Sequence, residues 1–338
     1  CNRRLPAEWE PQSGVLLVWP HEHGDWKHNL NEVEKTYLNI VAAISSYETV
    51  AIVCYDEAHR AHISQQLYTH NMQADNANSE LQLAIAASND SWVRDTGPLT
   101  IFENSNENEE KKVSTILLDF AFNGWGGKHP SLLDNKITTH QKQAHIFHQH
   151  TVLSQPTILE GGSIEPDGQG TLLTTTSCLR NPNRNPELSN ENIEKILSDQ
   201  LGIKRILWLE HGHLEGDDTD GHIDTLARFC SQDTIVYSHC DNPEDSHFES
   251  LSAMAEELAA FKTSAGKPYR LLPLPIPAAI YNTQGERLPA NYANFLITND
   301  AVLVPTYNDP NDGLALQTLR NCFPERKIIG IDCRSLLQ

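Results

Sequence analysis

Positive charge is scarce in this 338-residue chain: 25 Lys and Arg stand against 45 Asp and Glu, a net charge of −20 with His neutral. Nucleic acids and anionic membrane surfaces recruit Lys and Arg, so neither is expected as a partner. Long apolar runs are also missing. The run Val15-Leu16-Leu17-Val18-Trp19 is typical and far too short to span a bilayer. The seven cysteines (Cys1, Cys54, Cys178, Cys230, Cys240, Cys322, Cys333) include no Cys-x-x-Cys pair, which argues against a zinc knuckle or a disulfide framework. Cys54, Cys230 and Cys240 lie in or beside apolar, strand-like runs and read as buried thiols, in keeping with a reducing, cytoplasmic setting. No Gly-rich phosphate loop occurs, so no nucleotide cofactor is expected. No low-complexity linker divides the chain, and no internal repeat is visible in the sequence. The chain starts at Cys1, and nothing after it supports an N-terminal nucleophile or a lipidated residue.

What is present is a long series of short strand candidates: 15–19, 50–55, 99–102, 115–120, 171–175, 206–209, 223–229, 234–238, 295–298, 301–304 and 328–331. Helical patterns lie between some of them. Val33, Tyr37, Ile40, Val41 and Ile44 share one helix face, as do Phe248, Leu251, Ala255 and Leu258; 186–197 and 313–319 are further candidates. The mixture is α/β or α+β, without the regular alternation of a simple Rossmann or TIM pattern. Residues 104–112, polar throughout, read as an exposed hairpin tip or loop, and 181–185 reads as a loop.

Residues 211–229 carry the densest chemistry, with three histidines and five carboxylates ahead of an apolar ending. Asp217, Asp218, Asp220 and Asp224 are crowded enough to repel one another, which predicts a cation among them, either a metal or a cationic substrate. If 223–229 is a strand, His222 and Asp224 point to the same face, and a carboxylate raises the pKa of a neighbouring imidazole toward acid–base use near neutrality. His211 and His213 have the spacing of metal ligands, but no third soft ligand is near them. Two other segments place carboxylates beside glycine or proline at the mouth of an apolar strand: Trp92-Val93-Arg94-Asp95-Thr96-Gly97-Pro98 and Glu160-Gly161-Gly162. Alone, each is weak, because acidic residues beside glycine usually mean a solvated turn.

Taken together with Pro6-Ala7-Glu8-Trp9-Glu10-Pro11-Gln12, Val18-Trp19-Pro20, Phe122-Asn123-Gly124-Trp125-Gly126, Asn291-Tyr292-Ala293-Asn294-Phe295 and Val304-Pro305, these segments make the chain resemble the agmatine deiminases of the Porphyromonas-type peptidylarginine deiminase family, guanidino-group-modifying enzymes. The resemblance covers nearly the whole chain. It implies one domain over 1–338, a pseudo-fivefold α/β propeller of ββαβ units with its active site on the central axis. It implies hydrolysis of agmatine to N-carbamoylputrescine and ammonia, a step of putrescine and polyamine synthesis, through a covalent amidino-cysteine. In that reading Asp95 and Asp224 grip the guanidinium, His222 is the general acid and then base, and Glu160 supports His222. Asp218 adds to substrate binding. Trp92 walls the guanidinium or packs in the core, and Asn123 and Trp125 lie near the substrate or form an ordinary glycine-rich turn. Arg94 pairs structurally with carboxylates. No metal and no cofactor are needed. The family's nucleophile stands in a His-Cys loop after the last strand, and the residues up to Gln338 stop short of such a loop. The one His-Cys pair, His239-Cys240, lies elsewhere.

Three other readings stay open. The same fold could act on arginine or peptidyl-arginine, but a substrate carboxylate calls for a cation in the pocket and these segments are acidic. The chain could bind guanidinium without turnover, or 211–224 could hold a hydrolytic metal. Self-association into a homo-oligomer is also open.

Overall fold

The structure is a computed structural model that describes residues 2–72, 81–107, 110–143, 146–147 and 149–337; Cys1 lies outside them. The described residues form a mixed α/β fold with five small sheets. The first sheet is all parallel, Gly14–Val18, Thr49–Cys54 and Leu81–Ile85, and its strands are joined by helices Leu30–Ser45 and Glu57–Thr69. Its central strand is buried on both faces, as a parallel strand covered by helices must be.

The other four sheets share one plan: two antiparallel strands, a helix, then a third strand parallel to the second. In the second sheet Leu99–Glu107 pairs with Glu110–Ala121, which pairs in parallel with Thr151–Ile158; Asn2–Arg4 adds an outer strand. The third runs Glu165–Pro166, Thr171–Thr175, Arg205–Leu209, the fourth Ala227–Ser231, Thr234–His239, Arg270–Pro275, and the fifth Leu296–Ile297, Ala301–Thr306, Lys327–Asp332. A strand parallel to its predecessor needs a crossover long enough to return to the same edge. Helices Ile137–Gln143, Asn190–Leu201, Phe248–Ala260 and Asp312–Cys322 lie in those crossovers.

Apolar clusters join neighbouring units. Leu172, Leu197 and Leu201 pack with Ile101 and Leu118; Leu173 and Leu209 with Phe229 and Ile235; Val236 and Leu274 with Val302 and Val304. Ile137 of the second unit meets Val18 and Val53 of the first. Leu303 and Ile331 of the fifth pack with Trp19, Val33 and Tyr37 of the first. Among the described residues no helix is long and apolar enough to cross a membrane.

Several boundaries differ from the sequence reading. The helix expected over 186–197 is Asn190–Leu201, because the Ser189 hydroxyl accepts from Asn192 N and caps it there. Gly202 ends it in the left-handed region, with its α-carbon so close to Arg3 that a β-carbon would stand 2.0 Å from that carbonyl oxygen. The strand expected over 223–229 starts only at Ala227, since Ile223–Thr225 is a 3₁₀ turn. The segment 104–112, expected as an exposed hairpin tip or loop, carries both strands of a hairpin as far as Glu107 and Glu110, and 108–109 lie outside the described residues. Helix Glu57–Thr69 went unseen because only Ile63 and Leu67 on it are buried. Cys54, Cys230 and Cys240 are buried thiols.

Leu303, from the fifth unit, is buried against the first. Leu303→Ala is expected to lower unfolding free energy by about 2–5 kcal/mol, the range for a large-to-small core change. Chemical denaturation with an unchanged m-value checks it.

Candidate active site

The predicted site residues sit on short turns that hold equivalent places in three successive units. Val93–Thr96 leads into the second sheet and carries Asp95, with Trp92 at its start. Gly161–Ser163 leads into the third, preceded by Glu160. Ile223–Thr225 leads into the fourth, with His222 before it and Asp224 within it. The sequence argument that one strand face would bring His222 and Asp224 together is therefore corrected: a 3₁₀ turn does so, by stacking its successive residues tightly.

These turns bring Asp95, Glu160, His222 and Asp224 into one buried cluster, each less than a tenth exposed. His222 Nδ1 is 3.6 Å from Asp95 Oδ1 and its Nε2 is 3.6 Å from Glu160 Oε2. Gly162 leaves the space between them. A β-carbon there would stand 2.5 Å from His222 Nδ1, 2.7 Å from Asp95 Oδ1 and 2.8 Å from Asp224 Oδ2. Three polar atoms from two turns thus converge on one point above a glycine of the third.

Each group is held by its own partners. Asp95 Oδ1 accepts from Gly162 N at 2.9 Å, and Oδ2 accepts from the Trp125 indole at 3.0 Å. Trp125 is fixed edge-on between Phe122 and His129 and has φ 53°, inside a turn, Gly124–Gly127, whose other three residues are glycines with positive φ. Asn123 closes that turn, its Oδ1 accepting from Gly126 N and its amide donating to Asn183 O. Glu160 receives Arg184 Nε on both oxygens, at 2.9 and 2.8 Å. Arg184 also donates to Asp220 Oδ2 at 2.7 Å and Thr219 O at 2.8 Å.

Burial alone would lower the His222 pKa. The Asp95 carboxylate, the Cys178 sulfur and Glu160 outweigh it and hold the imidazole well above its ordinary value. Burial would raise Glu160, but contact with His222 and the charge of Arg184 bring it below the usual range. Asp224 is pushed up by burial, against the pull of Arg94 and His222. Both shifts favour an imidazolium beside an ionised Glu160, an arrangement that can donate a proton to a departing base.

Three of the four crowded aspartates have partners within the chain. Asp217 accepts from Thr219 N and Gly221 N within its own loop. Asp218 pairs with His129 at 2.7 Å, and Asp220 pairs with Lys128 and Arg184, each at 2.7 Å. The partners of Asp218 and Asp220 lie far away in sequence, invisible to local reading. His211 is exposed and pairs with Glu257, so it is not poised for metal. Trp92 is 41% exposed and tilted against Trp26 at 5.2 Å, so it is not packed in the core.

Sequence reasoning missed Gly162, Arg184 and Cys178. The doubled glycine after Glu160 could have signalled a close approach, whereas Arg184, in a segment read as a loop, gave no signal. Cys178 Sγ lies 3.8 Å from Glu160 Oε2, on the Nε2 side of His222. Glu160, Cys178 and His222 each offer a ligand atom within 4.8 Å of the others. Arg184 already neutralises Glu160 from both oxygens, which opposes a dication there. Burial pushes the Cys178 thiol up, so it lacks thiolate character.

A family model described as Porphyromonas-type peptidyl-arginine deiminase matches residues 4–338. A Porphyromonas gingivalis protein provisionally named an arginine deiminase is similar in structure, with 43% identity and TM-score 0.87 over 99% of this chain and 94% of that one. A C. jejuni agmatine deiminase, a cysteine-to-serine variant with substrate bound, is similar with 36% identity and TM-score 0.86 over 99% and 92%. A Yersinia pestis protein provisionally named an agmatine deiminase is 33% identical over 354 residues, 98% of this chain and 91% of that relative.

Two outcomes are expected. Gly162→Ala fills the point of convergence and should weaken binding of a guanidinium ligand at least about tenfold, a loss of roughly 1.4 kcal/mol, with cooperative unfolding retained; calorimetry and a melt check both. In the unliganded protein, NMR titration of His222 should show protonation persisting above the unperturbed value near ~6.5. With its folded-state pKa raised, His222 contributes stability that is present at low pH and lost as pH rises through that pKa.

Proposed function

The chain belongs to the Porphyromonas-type peptidyl-arginine deiminase family, and from that premise we propose that it is an agmatine deiminase, a hydrolase that acts on the C–N bond of a linear amidine. The observation that carries this is the convergence of His222 Nδ1, Asp95 Oδ1 and Asp224 Oδ2 above Gly162. Two carboxylate oxygens and an acidic N–H on one buried point fit a flat cation whose nitrogens offer paired hydrogens, one of which must leave as ammonia.

In this reading Asp95 and Asp224 accept from the guanidinium, at about 1.5–3 kcal/mol for each charged hydrogen bond. A cysteine thiolate attacks the central carbon, His222 protonates the departing ammonia, and an amidino-thioether remains. His222 then takes a proton from water as it attacks, and the thiolate leaves with N-carbamoylputrescine formed. Glu160, anchored by Arg184, holds the imidazole in line. Trp92 and Asp218 border the substrate's chain, while Asn123 and Trp125 act through the loop that orients Asp95. No metal or organic cofactor enters.

Agmatine is favoured over arginine by the cations. Around the site Arg184, Lys128 and Arg94 each face the chain's own carboxylates and are to that extent already engaged. The thiolate is drawn from the family's His-Cys loop. Cys333, the alternative, is half-buried against the apolar clusters of the first and fifth units, its thiol pushed up to about 12 by burial. The five units form one domain, a pseudo-fivefold propeller, supported by the apolar clusters that link each unit to the next and the fifth to the first. A small guanidino compound is the partner, in the cytoplasm, without nucleic acid or membrane.

A protein carrying the His-Cys loop should release ammonia from agmatine much faster than from arginine; equal kcat/KM on arginine would remove the assignment. His222→Ala should cut kcat by roughly 10²–10⁴ while the fold persists, and chelators should leave rate and melting temperature unchanged. Turnover that Cys333→Ser abolished would make Cys333 the nucleophile.

A further inference from the structure

The segment ahead of the first sheet carries Glu8, which has no part in the chemistry above. Its carboxylate lies between two arginines, with Oε1 against Arg94 Nη2 and Oε2 against Arg228 Nη2. Arg228 is fully buried and fixed on every side. Its Nε donates to Glu165 at 2.7 Å, its Nη1 donates to the carbonyls of Ala293 and Phe295, and its plane lies over the Phe295 ring at 4.6 Å. Arg94 is not fixed in this way. Its side chain is 37% exposed, and its Nε stands 3.5 Å from Asp224 Oδ2, too far for a good hydrogen bond.

That gap is unusual for its chemistry. Arg94 is a guanidinium beside a carboxylate that, on the reading above, exists to grip a guanidinium. A bidentate arginine–carboxylate pair is the strongest contact either group could make. The closest anion drawing Arg94 the other way is Glu8. The remaining charged neighbours of Asp224 are His222, Asp95 and Arg228; besides Glu8 and Asp224, the carboxylate that also draws Arg94 is Glu165, itself engaged by Arg228. We propose that Glu8 is a positioning residue that holds the Arg94 guanidinium off Asp224, so that an internal arginine does not occupy the substrate's place. Arg94 then neutralises Asp224 at a distance while leaving its oxygens open. This rests on the guanidinium-binding reading of the site.

The test is calorimetric binding of agmatine to the full chain, with KM and kcat where turnover is measurable. Glu8→Gln keeps the shape and removes the charge. Released from Glu8, Arg94 should close on Asp224, weakening agmatine binding about tenfold and raising KM, with kcat within about twofold. Adding Arg94→Met to Glu8→Gln should restore most of the affinity, because the competing guanidinium is gone. Unchanged affinity in Glu8→Gln, or a double variant as weak as the single one, would overturn the proposal in favour of a purely structural Glu8. Should Glu8→Gln fail to fold, Arg94→Met alone decides. Affinity equal to or above wild type supports Arg94 as a restrained competitor, and a loss beyond about threefold overturns it. A wild-type chain that binds no guanidine would overturn the functional reading itself, a result separate from loss without rescue.

Discussion

A charged imidazole sits in the interior of this protein with a carboxylate on each side, 3.6 Å from Asp95 and 3.6 Å from Glu160. Burying one ion costs several kcal/mol unless opposite charge meets it, so His222 can remain protonated only where both anions arrive. They arrive from two other units of the fold. Both are oriented by further groups: Trp125 and Gly162 on Asp95, Arg184 on Glu160. The acid therefore exists as a property of the assembled units and of no single one. Outward from it the charges alternate in sign, from Glu160 to Arg184 to Asp220 to Lys128, so that the negative site meets solvent through compensated steps.

Much of this was legible in the sequence. The three acidic segments beside glycine were visible as chemistry, and the structure brings their residues together. The strand-rich α/β class also followed from short apolar runs broken by helical faces. The repeat was not legible, because the four similar units keep a common order of strands and helix while filling it with unrelated apolar residues. The partners of Asp218 and Asp220 were hidden for a different reason. Lys128, His129 and Arg184 lie in distant loops, and a local charge count cannot see them. The turn at Ile223–Thr225 hid inside a β-branched, apolar run that favours a strand, and tertiary contact with the neighbouring turns decided otherwise.

Guanidinium recognition also constrains the interior. Arg184 sits against Glu160 and has every arm engaged, by both carboxylate oxygens, Asp220 and Thr219 O. Arg228 is similarly committed. An enzyme whose pocket prefers planar cations must keep its own planar cations in fixed company. The dense buried network around 94, 160, 184 and 228 is what that requirement looks like in side chains.

The left-handed turn at Gly124–Gly127 has a consequence for affinity. Trp125, the one residue there with a β-carbon, stands at φ 53°, where a side chain raises the backbone energy by about 1–2 kcal/mol. In return its indole is pinned and the Asp95 carboxylate cannot rotate away. The conformational entropy that a flexible aspartate would surrender on meeting its ligand, about 0.5–1.5 kcal/mol for a side chain held at an interface, is surrendered instead when the chain folds. On the proposed reading of Asp95 as a guanidinium acceptor, the backbone of a loop thus carries part of the ordering cost in advance, to the benefit of cations that fit the carboxylate where the loop has set it.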